Sequence, residues 1–291
     1  MSVSSLALGY RGKRRGTRST LRRAGFALVN VAFVVSALFP FYWILTTSIK
    51  TTNELNAGTT GLFPSSQTFG AYKQIFTEFD FTRSLVNSLI VASLTTILTV
   101  VLATLASYAL ARLDVPGKGL VLGFVLLAGF FPILSMVGPL VLVYRHIGLL
   151  NSYPGLVLAY LIYTLPLSVW LLTNFFRQIP KELDEAAMVD GASRLQALRR
   201  VIVPVAVPSI ITAAIISFIL AWNDFTFALS FESDPRYFTA PLAIVDLGQS
   251  QYQVFYNQID AAVVVITLPV ALLVLLAQRR IMAGLTAGAV K

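Results

Sequence analysis

An all-α integral membrane protein with six transmembrane helices is the fold the sequence predicts, and three observations carry that reading. Apolar residues make up 56% of the 291-residue chain and charged residues only 12%, about half the charged share of an ordinary soluble domain. Six segments reach or approach the roughly 20 apolar residues that a helix rising 1.5 Å per residue needs to cross the hydrocarbon core. Lys and Arg gather in alternate connections between those segments. The chain has no Cys and one His, His146, so disulfides, thiolate chemistry and His-based metal sites have no residues to work with. The net charge of +9 lies at membrane edges and not on a soluble face, which argues against nucleic acid as a partner.

Residues 1–23 form a basic tail rich in Arg, Gly and Ser, expected to be disordered and drawn to an anionic leaflet. The first apolar run, 24–46, is too long for a signal peptide and no small-x-small cleavage site follows Trp43, so it reads as a retained anchor. The remaining spans are expected at 84–111, 119–143, 153–176, 203–225 and 261–277, with a short tail at 278–291. The third carries Pro132 and Gly138-Pro139, and the fourth to sixth carry Pro166, Pro208 and Pro269. Such breaks are tolerated where neighbouring helices or cavity water satisfy the freed carbonyls. An even number of crossings puts both termini on one side, and 17 of the 22 Lys and Arg fall on that side. The positive-inside rule therefore predicts a multi-pass protein of the bacterial cytoplasmic membrane with both termini in the cytoplasm.

Between the fourth and fifth spans lies a charged island, residues 180–203. Pro180 suits a first helical position, Glu182, Asp184 and Glu185 place negative charge in the first turns, and Gly191 is the residue most able to end the helix. A second short helix fits 194–203, with Ser193 as N-cap, an apolar stripe of Leu195, Leu198, Val201 and Ile202, and Pro204 at membrane re-entry. The expected product is helix, bend and helix across the mouth of the bundle. The competing reading is an amphipathic helix resting on the inner leaflet, against which three carboxylates argue, since an anionic surface repels them.

The order Glu185-Ala186-Ala187, three residues, Gly191, nine residues and Val201-Ile202-Val203-Pro204 resembles the EAA signature of permease subunits of ATP-binding-cassette importers. Only Val201 and Val203 depart from its usual Ile and Leu. Further likenesses lie in Phe63-Pro64, Thr68-Phe69, Tyr72, Asn87-Ser88-Leu89-Ile90, residues 179–183, Trp222-Asn223-Asp224-Phe225 and the ending at 285–291. Together they make residues 24–291 similar to the MalG-like permeases of maltose- and trehalose-type carbohydrate importers. The resemblance implies the type I importer permease fold (MetI/MalG-like) and a coupling helix that docks in an ATPase subunit. On that basis Glu182, Asp184, Glu185, Ala186, Ala187, Asp190, Gly191 and Pro204 are the expected ATPase-coupling residues. Glu185 would meet a basic residue of the ATPase, the alanines would allow close approach, and Gly191 would supply the bend. It also implies a second, MalF-like permease, an ABC ATPase dimer that binds ATP and Mg, an extracytoplasmic sugar-binding protein or lipoprotein, and no cofactor in this chain itself. The implied activity is import of a di- or oligosaccharide, trehalose- or maltose-like, by alternating access.

A translocation path is expected to show as small or polar stripes withheld from lipid. The fifth span offers Ser209, Ala213, Ser217, Ala221 and Asp224, and the second offers Ser88, Ala92, Thr95, Thr99, Ala103 and Ser107. Tight helix packing accounts for both stripes equally well. Trp222, Asn223 and Asp224, with Ser217, are the candidate substrate path, because sugar sites combine an aromatic face with amide and carboxylate partners. The competing placement is an interfacial Trp with a solvated carboxylate. Gln251, Tyr252, Phe255, Tyr256 and Asn257 form an amide and aromatic cluster expected to face outward, where it would touch a binding protein or the headgroup layer.

No Gly-x-x-x-x-Gly-Lys-Ser/Thr occurs, and Gly117-Lys118-Gly119 lacks both the upstream glycine and the hydroxyl residue. The hydrolase signatures His-Glu-x-x-His and Gly-x-Ser-x-Gly are missing too. The chain therefore reads as a non-enzyme. The rivals are an ion-coupled secondary transporter, which needs carboxylates deep in the bilayer and has only Asp224 to offer, and a non-transporting scaffold.

Overall fold

The structure, a computed structural model, describes residues 17–58, 61–248 and 254–287. Most of the basic tail, Gln251 and Tyr252, and the last four residues lie outside them. Every regular element among the described residues is helical, apart from an isolated antiparallel bridge between Lys50 and Gln67.

In chain order the helices are α1 (Thr17–Ser48), α2 (Thr52–Asn56), α3 (Gly70–Thr77), α4 (Phe81–Arg112), α5 (Lys118–Gly129), α6 (Ile133–Ile147), α7 (Tyr153–Phe176), α8 (Glu182–Val189) and α9 (Arg194–Ala197). A π-helical turn, Leu198–Ile202, leads into α10 (Val203–Trp222), followed by α11 (Thr226–Phe231), a 3₁₀ turn at Pro235–Tyr237, α12 (Ala240–Gly248) and α13 (Tyr256–Ala287). Five of these are long and apolar enough to cross a membrane. The third expected span, 119–143, is broken: α5 and α6 meet at 89°. Pro132 explains the break, since it has no amide hydrogen to continue α5 and biases Phe131 away from helical geometry.

The bundle is organised around α4, which packs along α7 and α10. The small and polar stripes of the sequence make these contacts. Ser88, Ala92, Thr95, Thr99, Ala103 and Ser107 on α4 are all buried, as are Ser209, Ala213, Ser217 and Ala221 on α10. The hydroxyls close the seams: Thr99 Oγ1 lies 2.8 Å from Thr164 Oγ1, Ser107 Oγ donates to the Val169 carbonyl at 2.9 Å, and Ser168 and Ser217 pair at 3.0 Å. Of the two accounts the stripes allowed, helix packing describes them in this chain. Small side chains let backbones approach, and their hydroxyls satisfy one another where water is absent.

Helix α1 stands apart. Its hydrophobic window has no buried residue, with Leu28 and Phe33 more than two-thirds exposed, and it packs mainly on α13. Helix α13 is longer than expected at both ends, so the predicted 278–291 tail is helical as far as Ala287.

Candidate functional site

The end of the bundle where α4 and α7 finish carries the charged connection. α8 starts at Glu182, two residues later than the Pro180 start expected, with Lys181 as N-cap and the three carboxylates in its first turn. Negative charge there meets the positive end of the helix dipole. The helix ends in a Schellman motif: the Gly191 amide donates to the Met188 carbonyl and the Ala192 amide to the Ala187 carbonyl, both at 3.0 Å, around Gly191 at φ +83°. A Cβ at Gly191 would meet nothing within 4 Å. The backbone's left-handed conformation, not lack of room, calls for glycine here. Ser193 then caps α9 in a reciprocal box with Gln196, as S/T-x-x-Q patterns do.

Bend and second helix thus follow the sequence reading, with one difference. Nothing interrupts the chain at Pro204: α9 runs through the π turn into α10 as one helix, Arg194–Trp222. In the π register the Val203 amide donates to the Leu198 carbonyl, five residues back. The extra residue in that turn carries the chain past a proline that can donate nothing.

Of the expected coupling residues, Glu182, Glu185, Ala186, Asp190, Gly191 and Pro204 are exposed. Around them Met188, Val189 and Leu195 are 43%, 87% and 65% exposed, a small apolar face beside acidic side chains. Ala187 is buried beneath this face. Asp184 departs from the expected set, because it points inward and is buried. Its Oδ2 lies 3.2 Å from Arg112 Nε, the two side chains being 10% and 3% exposed. Tyr108 donates its hydroxyl to Asp184 Oδ1 at 3.4 Å, and Arg112 Nη2 donates to the Ile179 carbonyl at 2.6 Å. Sequence reasoning counted Arg112 only as a loop cation. The available signal was its position, the last residue of a long apolar run and so within reach of the next charged connection.

At the opposite end the expected path residues separate. Ser217 is fully buried against Ser168, so its hydroxyl faces a neighbouring helix and no open cavity of this chain. Trp222 is also buried; its indole donates to the Ile266 carbonyl at 3.3 Å and stacks on Phe218. The ring edges an almost wholly apolar groove between α4 and α13, lined by Leu85, Leu89, Val265 and Leu272. Asn223 is exposed, and its side-chain amide donates back to the Ile219 carbonyl. Asp224 Oδ1 accepts the amides of Phe227 and Ala228 at 3.1 and 3.3 Å, which caps α11. Neither a common sugar-binding surface nor an interfacial, solvated pair describes Trp222 and Asp224 in the isolated chain. The one carboxylate that the ion-coupled reading had to offer thus holds a helix start through Oδ1.

In the loop before α13, Tyr256 is 62% exposed and Phe255 half-buried. Asn257 contradicts the outward-facing expectation. It is buried, and its Nδ2 donates to the Lys50 carbonyl at 3.2 Å and to Thr52 Oγ1 at 3.3 Å. An amide in a buried position is satisfied by backbone there, so Asn257 fastens α13 to the α1–α2 junction. Asn87, which the sequence offered only as part of a family likeness, donates to the Arg236 and Phe238 carbonyls while accepting from the Tyr153 hydroxyl. Asn151, at φ +53°, similarly accepts the amides of Ser233 and Asp234. In that segment burial pushes the Glu232 carboxyl up to about 7, whereas the Arg236 guanidinium holds Asp234 below the usual carboxylate range. No group of three or more potential metal ligands occurs among the described residues.

Residues 100–285 match the family described as binding-protein-dependent transport system inner membrane component. The chain is 46% identical over 272 residues to the trehalose transport system permease protein SugB of Mycobacterium tuberculosis, covering 93% of this chain and 98% of that one. It is 41% identical over 258 residues to the sulfoquinovosyl glycerol transport system permease protein SmoH of Agrobacterium fabrum, covering 89% and 90%. Identity to the trehalose/maltose transport system permease protein MalG of Thermococcus litoralis is 37% over 273 residues, covering 93% and 98%. Among solved structures, a chain of a bacterial ABC transporter involved in alginate import superposes with a TM-score of 0.76 at 22% identity, over 91% of this chain and 98% of that one.

Proposed function

The chain belongs to the family of binding-protein-dependent transport system inner membrane components, permease subunits and not enzymes, and from that premise we propose that it is the MalG-like half of an ATP-driven importer of a di- or oligosaccharide. Trehalose and maltose-like sugars are the first candidates, because relatives alike along nearly their whole length are named for them. In this reading both termini and α8 lie in the cytoplasm, a MalF-like permease completes the translocation path, and an extracytoplasmic binding protein delivers the sugar. An ABC ATPase dimer binds ATP and Mg. Its closure on ATP draws the coupling helices together and opens the cavity outward, and hydrolysis returns it inward.

The observation that carries the proposal is the exposed face of α8, where Glu182, Glu185 and Asp190 surround Met188 and Val189 ahead of a turn held by Gly191. A soluble partner gains both apolar contact and charge complementarity from such a face, whereas a lipid surface gains only the first. The test is uptake of radiolabelled trehalose by proteoliposomes holding the full importer, with Glu185→Ala and Gly191→Pro as variants. Both variants are expected to insert and yet to lower ATP-dependent uptake by at least about tenfold. Wild-type uptake by both, or uptake driven by a proton gradient without ATP, removes the assignment.

A further inference from the structure

The buried contacts beneath α8 form a joint that the coupling motif does not contain. α8 is only eight residues long, and apart from Asp184 and Ala187 its side chains are exposed. Two routes lead from it into the bundle. One is covalent, through the left-handed turn at Gly191 into α9, the π turn and α10. The other is the Arg112 guanidinium, which grips the chain on both sides of the α8 start: the Ile179 carbonyl at 2.6 Å before it and the Asp184 carboxylate at 3.2 Å inside its first turn. Tyr108, one helical turn earlier on α4, adds a third contact to the same carboxylate. Below the joint Tyr108, Phe176, Ile179, Leu198 and Ile202 form an apolar cluster, while on its outer side the pair borders a cleft lined by Lys181, Glu185 and Arg194.

We infer that Arg112 and Asp184 are positioning residues which pass displacement of α8 to α4, and through the α4–α7 and α4–α10 seams to the bundle. This inference rests on the importer reading above. A buried ion pair adds little net stability over an apolar replacement, but separating its partners strands a desolvated charge. The pair therefore stays closed while α8 moves, and the two elements travel together. The Gly191 turn has a looser constraint, because its hydrogen bonds hold the bend while the helix that follows meets Tyr108 of α4 only through the apolar side chains of Leu198 and Ile202.

The experiment uses the complete importer in lipid and reads sugar transported per ATP hydrolysed. Asp184→Asn removes one charge while keeping shape, and Arg112→Gln removes the other together with the guanidinium. Arg112→Lys keeps the charge but lacks the fork that reaches both Ile179 and Asp184. The expected result is assembly at wild-type stoichiometry with ATP still hydrolysed. The transport-to-hydrolysis ratio falls by about tenfold in the first two and by less in Arg112→Lys. A role in folding alone would lower assembly and leave the ratio of the surviving complexes unchanged, and that outcome overturns the inference. So does an unchanged ratio in fully assembled variants. Because the chain has no native Cys, Tyr108→Cys with Asp184→Cys, bridged by a bis-thiosulfonate linker, supplies the converse arm. Bridging should raise the ratio over the same unbridged protein, and a bridge that leaves it unchanged or lowers it refutes a joint that moves as one body. If the wild-type complex shows no ATP-dependent uptake, the importer reading has failed, not the joint.

Discussion

The two ends of this bundle were encoded in different ways. At the α8 end the bend and the helix caps are set locally, although Asp184 beneath them is held from α4. Ser193 caps α9 through Gln196, three residues on, and α8 ends where the Gly191 and Ala192 amides reach carbonyls three and five residues back. At the Trp222 end the determining bonds are distant: Asn87 reaches Arg236 and Phe238 across 149 and 151 positions, and Asn257 reaches Lys50 across 207. Caps and turns leave a signature in spacing because their partners sit at fixed offsets. Partners brought together only by tertiary packing leave none. The same sequence therefore discloses the exposed bend that follows α8 and conceals which polar residues of the far end are fasteners.

The strongest way to break that contrast is to substitute the far end, where residue type alone misleads. Asn257→Ala would leave the Lys50 carbonyl and Thr52 hydroxyl without their shared donor, and removal of one partner from buried polar groups costs about 1–3 kcal/mol each. Tyr256→Ala, one residue away and 62% exposed, should be nearly silent. Thermal unfolding of the purified chain in detergent checks both. Equal effects would mean that the buried amide is no fastener and that the loop acts as one surface.

A smaller effect is expected at the local end. Gly191→Ala places a Cβ in open space but holds a left-handed backbone, at roughly 1–2 kcal/mol for a non-glycine residue. Gly119→Ala, inside α5 with nothing within 4 Å and an ordinary backbone, should stabilise instead, because alanine is the better helix former. The two variants share added bulk and differ only in conformation. A shared sign in their melting shifts would show that space, not φ, selected glycine at 191.

How much could be read from the chain follows the same division. The span at 153–176 coincides with α7 because Ser152 caps it and Pro154 occupies its first turn, local signals at the start of a long apolar run. The third span was legible as apolar but not as a right-angled pair, although Pro132 marked the place. A proline weakens a helix without deciding whether it breaks, since α7, α10 and α13 run on through Pro166, Pro208 and Pro269, and the neighbours decide how far any halves swing. Within the coupling motif the exposed residues were legible by family resemblance. The inward turn of Asp184 was not, since its partner Arg112 lies 72 positions upstream on another helix.

The smallest expected effect is a slope with pH, and it sets two carboxylates of one segment against each other. Glu232 is buried, with the Ser152 backbone beside it as the influence that opposes burial. Burial raises its pKa from 4.5 to about 7, so the fold prefers the neutral acid. Stability from this group is complete below about 4.5 and is lost as pH rises through about 7, because over that window the folded state holds a proton that the unfolded chain has released. Asp234, two residues on, has the opposite sign: its bonds to exposed Arg236 lower its pKa, so its contribution is present near neutrality and fades on acidification. Glu232→Gln should therefore flatten the fall in melting temperature between pH 5 and 7, while Asp234→Asn should leave that window unchanged and act only at lower pH. If Glu232→Gln leaves the slope intact, water reaches the segment in solution, and the α6–α7 turn that Asn151 ties to residues 233 and 234 does not seal it.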